Sequence, residues 1–188
     1  MQPKWEPVTE QDHKIIANQL GREPRGVLGI AIRCKYGYPQ VIVNRPIISQ
    51  AEDVTVFPTT LWLTCPYLCR LISTLESIGM IADIQERIAD DPEFAELVKQ
   101  DHESHAQFRS SLVPDEVLES LARKYPSEHQ VIVSTGVGGT RSPDGVKCLH
   151  AHFADYLARG VNQIGAAVFE RLDGSLYCSS ANCELESR

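Results

Sequence analysis

Apolar residues recur along this chain with two different periods. Leu68, Leu71, Ile72, Leu75 and Ile78 stand three and four apart between Pro66 and Gly79, the spacing that gathers one face of an α-helix. Proline suits the first position of a helix and glycine its stop, so 66–78 reads as an amphipathic helix. Thr9, with Asp12 three residues on, precedes Ile15, Ile16 and Leu20 and is closed by Gly21, which reads as a short capped helix. Further helical segments are expected at about 81–89, 92–110 and 114–124, with Asp91-Pro92 and Pro114 starting the last two. One more runs from about Lys147 to Arg159, stopped by Gly160.

Between these lie apolar runs without helical spacing. VLGIAIRC at 27–34 and QVIV at 40–43 are β-prone and joined by KYGYP, a hairpin signal. A second QVIV, at 130–133, predicts a short strand leading into the glycine-rich STGVGGTRSPDG. Pro46 and Pro58 bracket an irregular or extended stretch that ends in LWLTCP. Asp173-Gly174, between VFERL and SLYC, predicts a hairpin turn. The fold class is α+β, a helix-rich single domain over 1–188 with a small antiparallel sheet, its last part (166–188) a hairpin and tail.

Composition narrows the function classes. At 188 residues and net charge −7 the chain suits one domain, and phosphate-driven nucleic-acid binding is not expected. The charge is concentrated: residues 81–120 hold 3 basic and 11 acidic side chains. That segment reads as a solvated helical face, or as a docking surface for a basic partner. No apolar run reaches the ~18–20 residues of a membrane span. The N-terminus lacks a signal-peptide pattern, so a cytoplasmic protein is expected. In a reducing compartment six cysteines point to metal binding, catalysis or burial before disulfides.

Two helix starts carry metal-ligand residue types four apart, Cys65 with Cys69 and Cys148 with His152. Glu76 continues the line of the first pair and Asp155 that of the second. His150 joins Cys148 at a common ion only if Cys148 precedes the first full turn of its helix. Cys34 ends the first hairpin strand. Thiolates at helix starts are favoured by the exposed N–H groups, which suits either metal ligation or nucleophilic attack. His102 and His105, three apart in the charged DHESHAQ, read as a solvent-exposed pair. The STGVGG loop is no P-loop, and Arg22, Arg25, Arg33, Arg70, Arg141 and Lys147 border these elements as anion-holding candidates.

The segments GREPRGVLGIAIRCKYGYPQVI, FPTTLWLTCPYLCRLISTLESIG and GVGGTRSPDGVKCLHAHFADYLARGVNQIG resemble the bacterial family catalogued as domain of unknown function five hundred and one. RC-x-x-G-x-P, LTCP and KCLHAH carry the resemblance, which runs over about 21–165. It implies that Cys34, Cys65 and Cys148 are the family's thiols, with His150 and His152 beside the last, while Cys69, Cys178 and Cys183 are particular to this chain. The family's usual NP after the last helix reads Asn162-Gln163 here.

Together these readings favour a cytoplasmic metalloprotein in which Cys34, Cys65 and Cys148 hold a [4Fe–4S] cluster or a zinc ion. His150 or His152 would be a fourth ligand or a general acid/base. Arg25, Arg33 and Lys147 would hold a small anionic substrate undergoing hydrolysis, elimination or desulfuration. Two rivals remain: an adaptor that binds a partner through the acidic helices of 81–120, and a metal-free enzyme with Cys65 or Cys148 as nucleophile and His150 or His152 as base.

Overall fold

Thr9 caps α1 (Glu10–Leu20) in both directions. Its hydroxyl accepts the Asp12 N–H at 3.1 Å, and its own N–H donates to the Asp12 carboxylate at 3.0 Å. The computed structural model describes residues 3–50, 53–179, 181 and 183. After α1, strands β1 (Val27–Arg33) and β2 (Pro39–Asn44) form the expected hairpin, and β5 (Leu61–Leu63) pairs with β2, giving an antiparallel sheet of order β1-β2-β5. Register sorts the side chains to two faces. Ile30, Ile42 and Trp62 align across the sheet, and Ile30 and Ile42 pack with Ile16 of α1, while Val41 and Val43 oppose Leu63 and Leu61. The second face enters the main core. Every residue of β2 is buried, because helices cover the sheet on both sides.

Helices α2 (Pro66–Ser77), α3 (Met80–Asp90), α4 (Pro92–Ser111), α5 (Asp115–Lys124), α6 (Pro126–Ser134), α7 (Leu149–Arg159) and α8 (Gln163–Arg171) complete the α+β fold. Leu68, Ile72 and Leu75 of α2 meet Leu149 and Phe153 of α7 and Ile164 and Val168 of α8 in one core cluster. Burying each such side chain is worth about 1.5–3 kcal/mol. Gly165 lets α8 approach α7, since a Cβ there would collide with the Tyr156 Cβ and the His152 carbonyl. Among the described residues no helix is long and apolar enough to cross a membrane.

Two segments differ from expectation, and a third takes one of the two forms expected of it. The QVIV at 130–133 is helical, inside α6, which Pro126 starts and which buries Ile132 against Val113 and Leu121. A three-residue apolar run fits either period, and the helical neighbour decides. The stretch between Pro46 and Pro58 takes the extended alternative, as the paired strands β3 (Ile47–Gln50) and β4 (Asp53–Val56). At the C-terminal end, VFER continues α8, whose Val168 is fully buried. Asp173-Gly174 then makes a turn after the helix, and no strand follows among the described residues.

Candidate functional site

Cys148 sits immediately before α7 with an extended backbone, φ −159° and ψ 120°. Its side chain therefore escapes helical spacing, the condition under which His150 can reach it. Cys148 Sγ lies 3.6 Å from His150 Nδ1, and that nitrogen lies 3.3 Å from Glu76 Oε1 on α2. Among the described residues these three are the group whose metal-ligating atoms all lie within 4.8 Å of one another. Glu76 is fixed from the other side, its Oε1 accepting the Leu149 N–H at 2.7 Å. A carboxylate at the first turn of α7 also suits the positive end of the helix dipole.

The protonation of His150 follows from its neighbours. Nε2 lies 3.1 Å from the Cys69 carbonyl oxygen, which can only accept, so Nε2 carries a proton. Nδ1 faces the Cys148 thiol and the Glu76 carboxylate; the carboxylate can only accept, so in the metal-free chain Nδ1 donates to it, and a cation would take that proton's place. Burial pulls the His150 pKa down, but the Cys148 thiol, Glu76 and the Cys69 carbonyl outweigh it, and the net direction is upward.

The group opens on a cleft of about 340 Å³ lined by Leu61, Trp62, Leu63, Thr59 and Gly138 as well as Cys148 and His150. Arg22 also lines it, with its guanidinium 5.2 Å from the Trp62 ring centroid. This volume is in the range of small-molecule sites.

The other expected site residues lie elsewhere. Arg33 is committed to Asp12 and Glu6, at 2.7 and 2.9 Å, and holds the Asp12 carboxyl well below the usual carboxylate range. Arg25 is exposed and does not line the cleft. Lys147 is next to Cys148, but its ammonium donates to the Gly139 carbonyl at 2.8 Å. Cys34 and Cys65 are outside the Glu76–Cys148–His150 group. Cys65 precedes α2 whereas Glu76 is near its end, eleven residues on and about 16 Å along the axis at 1.5 Å per residue. None of the six cysteines forms a disulfide.

His152 is buried on the far side of α7 and joins a different network. Its Nδ1 lies 3.2 Å from Asn162 Oδ1, Asn162 Nδ2 donates to Asp155 at 3.0 Å, and Asp155 accepts from His105 Nδ1 at 2.8 Å. His102 stands beside them, its ring 5.5 Å from that of His152, and its Nδ1 accepts the Val137 N–H at 3.0 Å. The expected exposed pair is thus interior, with His102 at 4% and His105 at 1% exposure. The reason is that α4 turns a polar stripe inward, where each Nδ1 finds a partner. Gly136 makes room for it, as a Cβ there would strike the His102 ring. Burial lowers the pKa of His102, and it lowers that of His152 to about 3, with His102 adding to the effect.

Sequence spacing does not single out two residues of this cleft region. Glu76 shares a line with Cys65 and Cys69, and its one usable signal is a carboxylate beside the apolar stripe of α2. Arg22 is one of six basic residues bordering these elements, and the sequence does not show that Trp62 lies under it. Most acidic side chains of 81–120 are exposed on α3, α4 and α5, as a solvated face requires. Asp101 differs: it accepts the Gln163 N–H at 2.6 Å, and burial raises its pKa to about 6.

Neither the curated proteins nor the solved structures contain a match to the chain. A family model described as "Protein of unknown function (DUF501)" matches residues 30–170. That span takes in the sheet, α2 with Glu76, and Cys148 with His150, and the chain belongs to this family.

Proposed function

We propose that the chain is a cytoplasmic zinc-dependent hydrolase of a small anionic molecule, with Cys148, His150 and Glu76 as the metal ligands. The observation that carries this is the ligand spacing. Zinc bonds of about 2.3 Å to sulfur and 2.0–2.2 Å to nitrogen and oxygen give tetrahedral edges of about 3.6 Å for S–N and 3.4 Å for N–O. The corresponding separations are 3.6 and 3.3 Å. One thiolate, one imidazole and one carboxylate form a zinc-type donor set, whereas a cubane cluster takes mainly thiolates. The Cys69 carbonyl on His150 Nε2 is the outer partner that a ligating imidazole needs to hold its orientation.

Three protein ligands would leave a zinc ion one open position, and zinc would lower the pKa of a water bound there toward about 7. The chain supplies the rest. Trp62, Leu61 and Leu63 exclude water from one wall, and Arg22 at the mouth receives the anionic group. Both ring nitrogens of His150 are engaged, so it is a ligand and not a base.

Purified protein is expected to hold one zinc at this site. Cys148→Ser, His150→Ala or Glu76→Gln each lowers its affinity by at least about tenfold to a hundredfold. Arg22→Ala keeps the metal and loses binding of phosphate or carboxylate probes. Retention falls with acidity, because the thiol and imidazole must shed protons to ligate and His150 is shifted upward. Zinc binding unaltered by all three ligand substitutions would rule the proposal out.

A second reading has its own observation. The contact between Cys148 and His150, with Glu76 behind, is also that of a metal-free cysteine nucleophile. Alkylation separates the two. A thiolate–imidazolium pair reacts quickly below pH 7 with or without chelator, whereas a zinc-bound Cys148 reacts only after chelation.

A further inference from the structure

Well away from Glu76, the chain brings four further thiols toward one end of the sheet. Cys34 follows β1, and its N–H donates to the Tyr38 carbonyl at 2.9 Å across the turn into β2. Cys65 follows β5, and the preceding Thr64 donates its N–H to the Gln40 carbonyl at 2.8 Å. Because β2 lies between β1 and β5, Cys34 and Cys65 flank the first residues of β2 from its two sides. The segment after α8 is laid across the same end. Gln40 Nε2 donates to the Leu176 carbonyl at 2.9 Å, and the Tyr36 hydroxyl to the Cys178 carbonyl at 3.2 Å. The Lys35 ammonium lies over both Tyr36 and Tyr177, at 5.0 and 5.7 Å from the ring centroids. This docking delivers Cys178 to the turn that carries Cys34, and Cys183, five residues on, is 5% exposed.

We infer that Cys34, Cys65, Cys178 and Cys183 form a four-thiolate metal centre, distinct from the Glu76–Cys148–His150 site and independent of it. Burial, with Cys65, Cys178 and Cys34 as neighbours, pushes the Cys183 thiol up to about 11, and burial also raises Cys65. Such thiols are poor nucleophiles, yet a thiophilic cation deprotonates them on binding. Four cysteines brought together from three separated segments match the ligand count of structural zinc and of iron–sulfur clusters. Among the described residues no three of these sulfurs lie within 4.8 Å of one another. Zinc, with sulfur–sulfur edges of about 3.8 Å, would draw them together, while a cubane cluster with ligand sulfurs about 6–7 Å apart would need less movement. Either occupant ties the segment after α8 to the sheet.

Full-length protein purified anaerobically and assayed for zinc, iron and acid-labile sulfide tests this. Cys34→Ser, Cys65→Ser and Cys183→Ser are each expected to lose one zinc per chain, or about four irons with their sulfides, while Cys148→Ser keeps that metal. Maleimide labelling read by mass spectrometry needs no variant: Cys34 and Cys178 react faster after chelation than before it. Metal and sulfide contents unchanged in all three variants, or labelling of Cys34 and Cys178 indifferent to chelator, would overturn the inference. The Cys148→Ser arm keeps failure here separate from failure of the proposed hydrolase site.

Discussion

Arg109→Ala is expected to destabilise the fold by about 3–5 kcal/mol, because it strands up to three buried carbonyls, at about 1–3 kcal/mol for each left unsatisfied, and leaves a cavity. The side chain is fully buried on α4, and no carboxylate pairs with it among the described residues. It donates instead to three carbonyls, from Nε to Ile132 at 2.7 Å, from Nη1 to Pro58 at 2.9 Å, and from Nη2 to Thr135. Burial pulls its pKa down to about 10, so it stays charged at neutral pH. Alanine would strand these acceptors and leave a cavity the size of the guanidinium. Lysine does not rescue it, because one compact ammonium cannot span acceptors on three segments. Thermal unfolding is expected to shift down by about 10 °C or more for a chain of this length. The loss should also loosen the cleft, since Pro58 precedes Thr59 and Thr135 begins the loop that carries Gly138. A midpoint within about 2 °C of the parent would refute this role.

Acidification is expected to destabilise the protein through its interior histidines, and His152→Asn should blunt the effect. In the folded state the His152 pKa is about 3, against 6.5 for an unhindered imidazole. Between those values the unfolded chain binds a proton that the folded chain refuses, so stability falls as pH falls from 6.5 toward 3. At pH 5 the difference is about 1.5 pH units, or about 2 kcal/mol from this residue. His102 is shifted the same way. Asp101, raised to about 6, opposes them by taking up a proton in the folded state between pH 6 and 4. It does so in parent and variant alike and drops out of their comparison. Asparagine keeps an N–H near the position of Nδ1 to serve Asn162, and removes the titrating group. Urea unfolding at pH 7 and pH 5 should show the parent losing about 2 kcal/mol more than His152→Asn. Equal losses would mean that His152 is protonated in the fold.

What the sequence makes legible follows from how local each cause is. The Pro66–Gly79 helix, the Thr9 cap and the 27–44 hairpin rest on residues within one turn or one strand of each other, and all three were readable. The two copies of QVIV show where that ends. One is a central strand and the other a helix, because each takes the form its neighbours bury. The same limit governs chemistry. Cys148 and His150 meet only because Cys148 is extended before α7, and Glu76 reaches them from 72 residues earlier, so helical spacing alone favoured His152. The interior position of His102 and His105 depends on Asp155 and Val137, partners that a helical wheel of α4 does not contain.

A metal held by Cys148, His150 and Glu76 is the proposed centre of this protein's chemistry. Crystals grown with zinc and measured on both sides of its absorption edge address it directly. An anomalous peak should lie about 2.3 Å from Cys148 Sγ and about 2.0–2.2 Å from His150 Nδ1 and a Glu76 carboxylate oxygen. Zinc present in the crystal with no peak among those three side chains would contradict it.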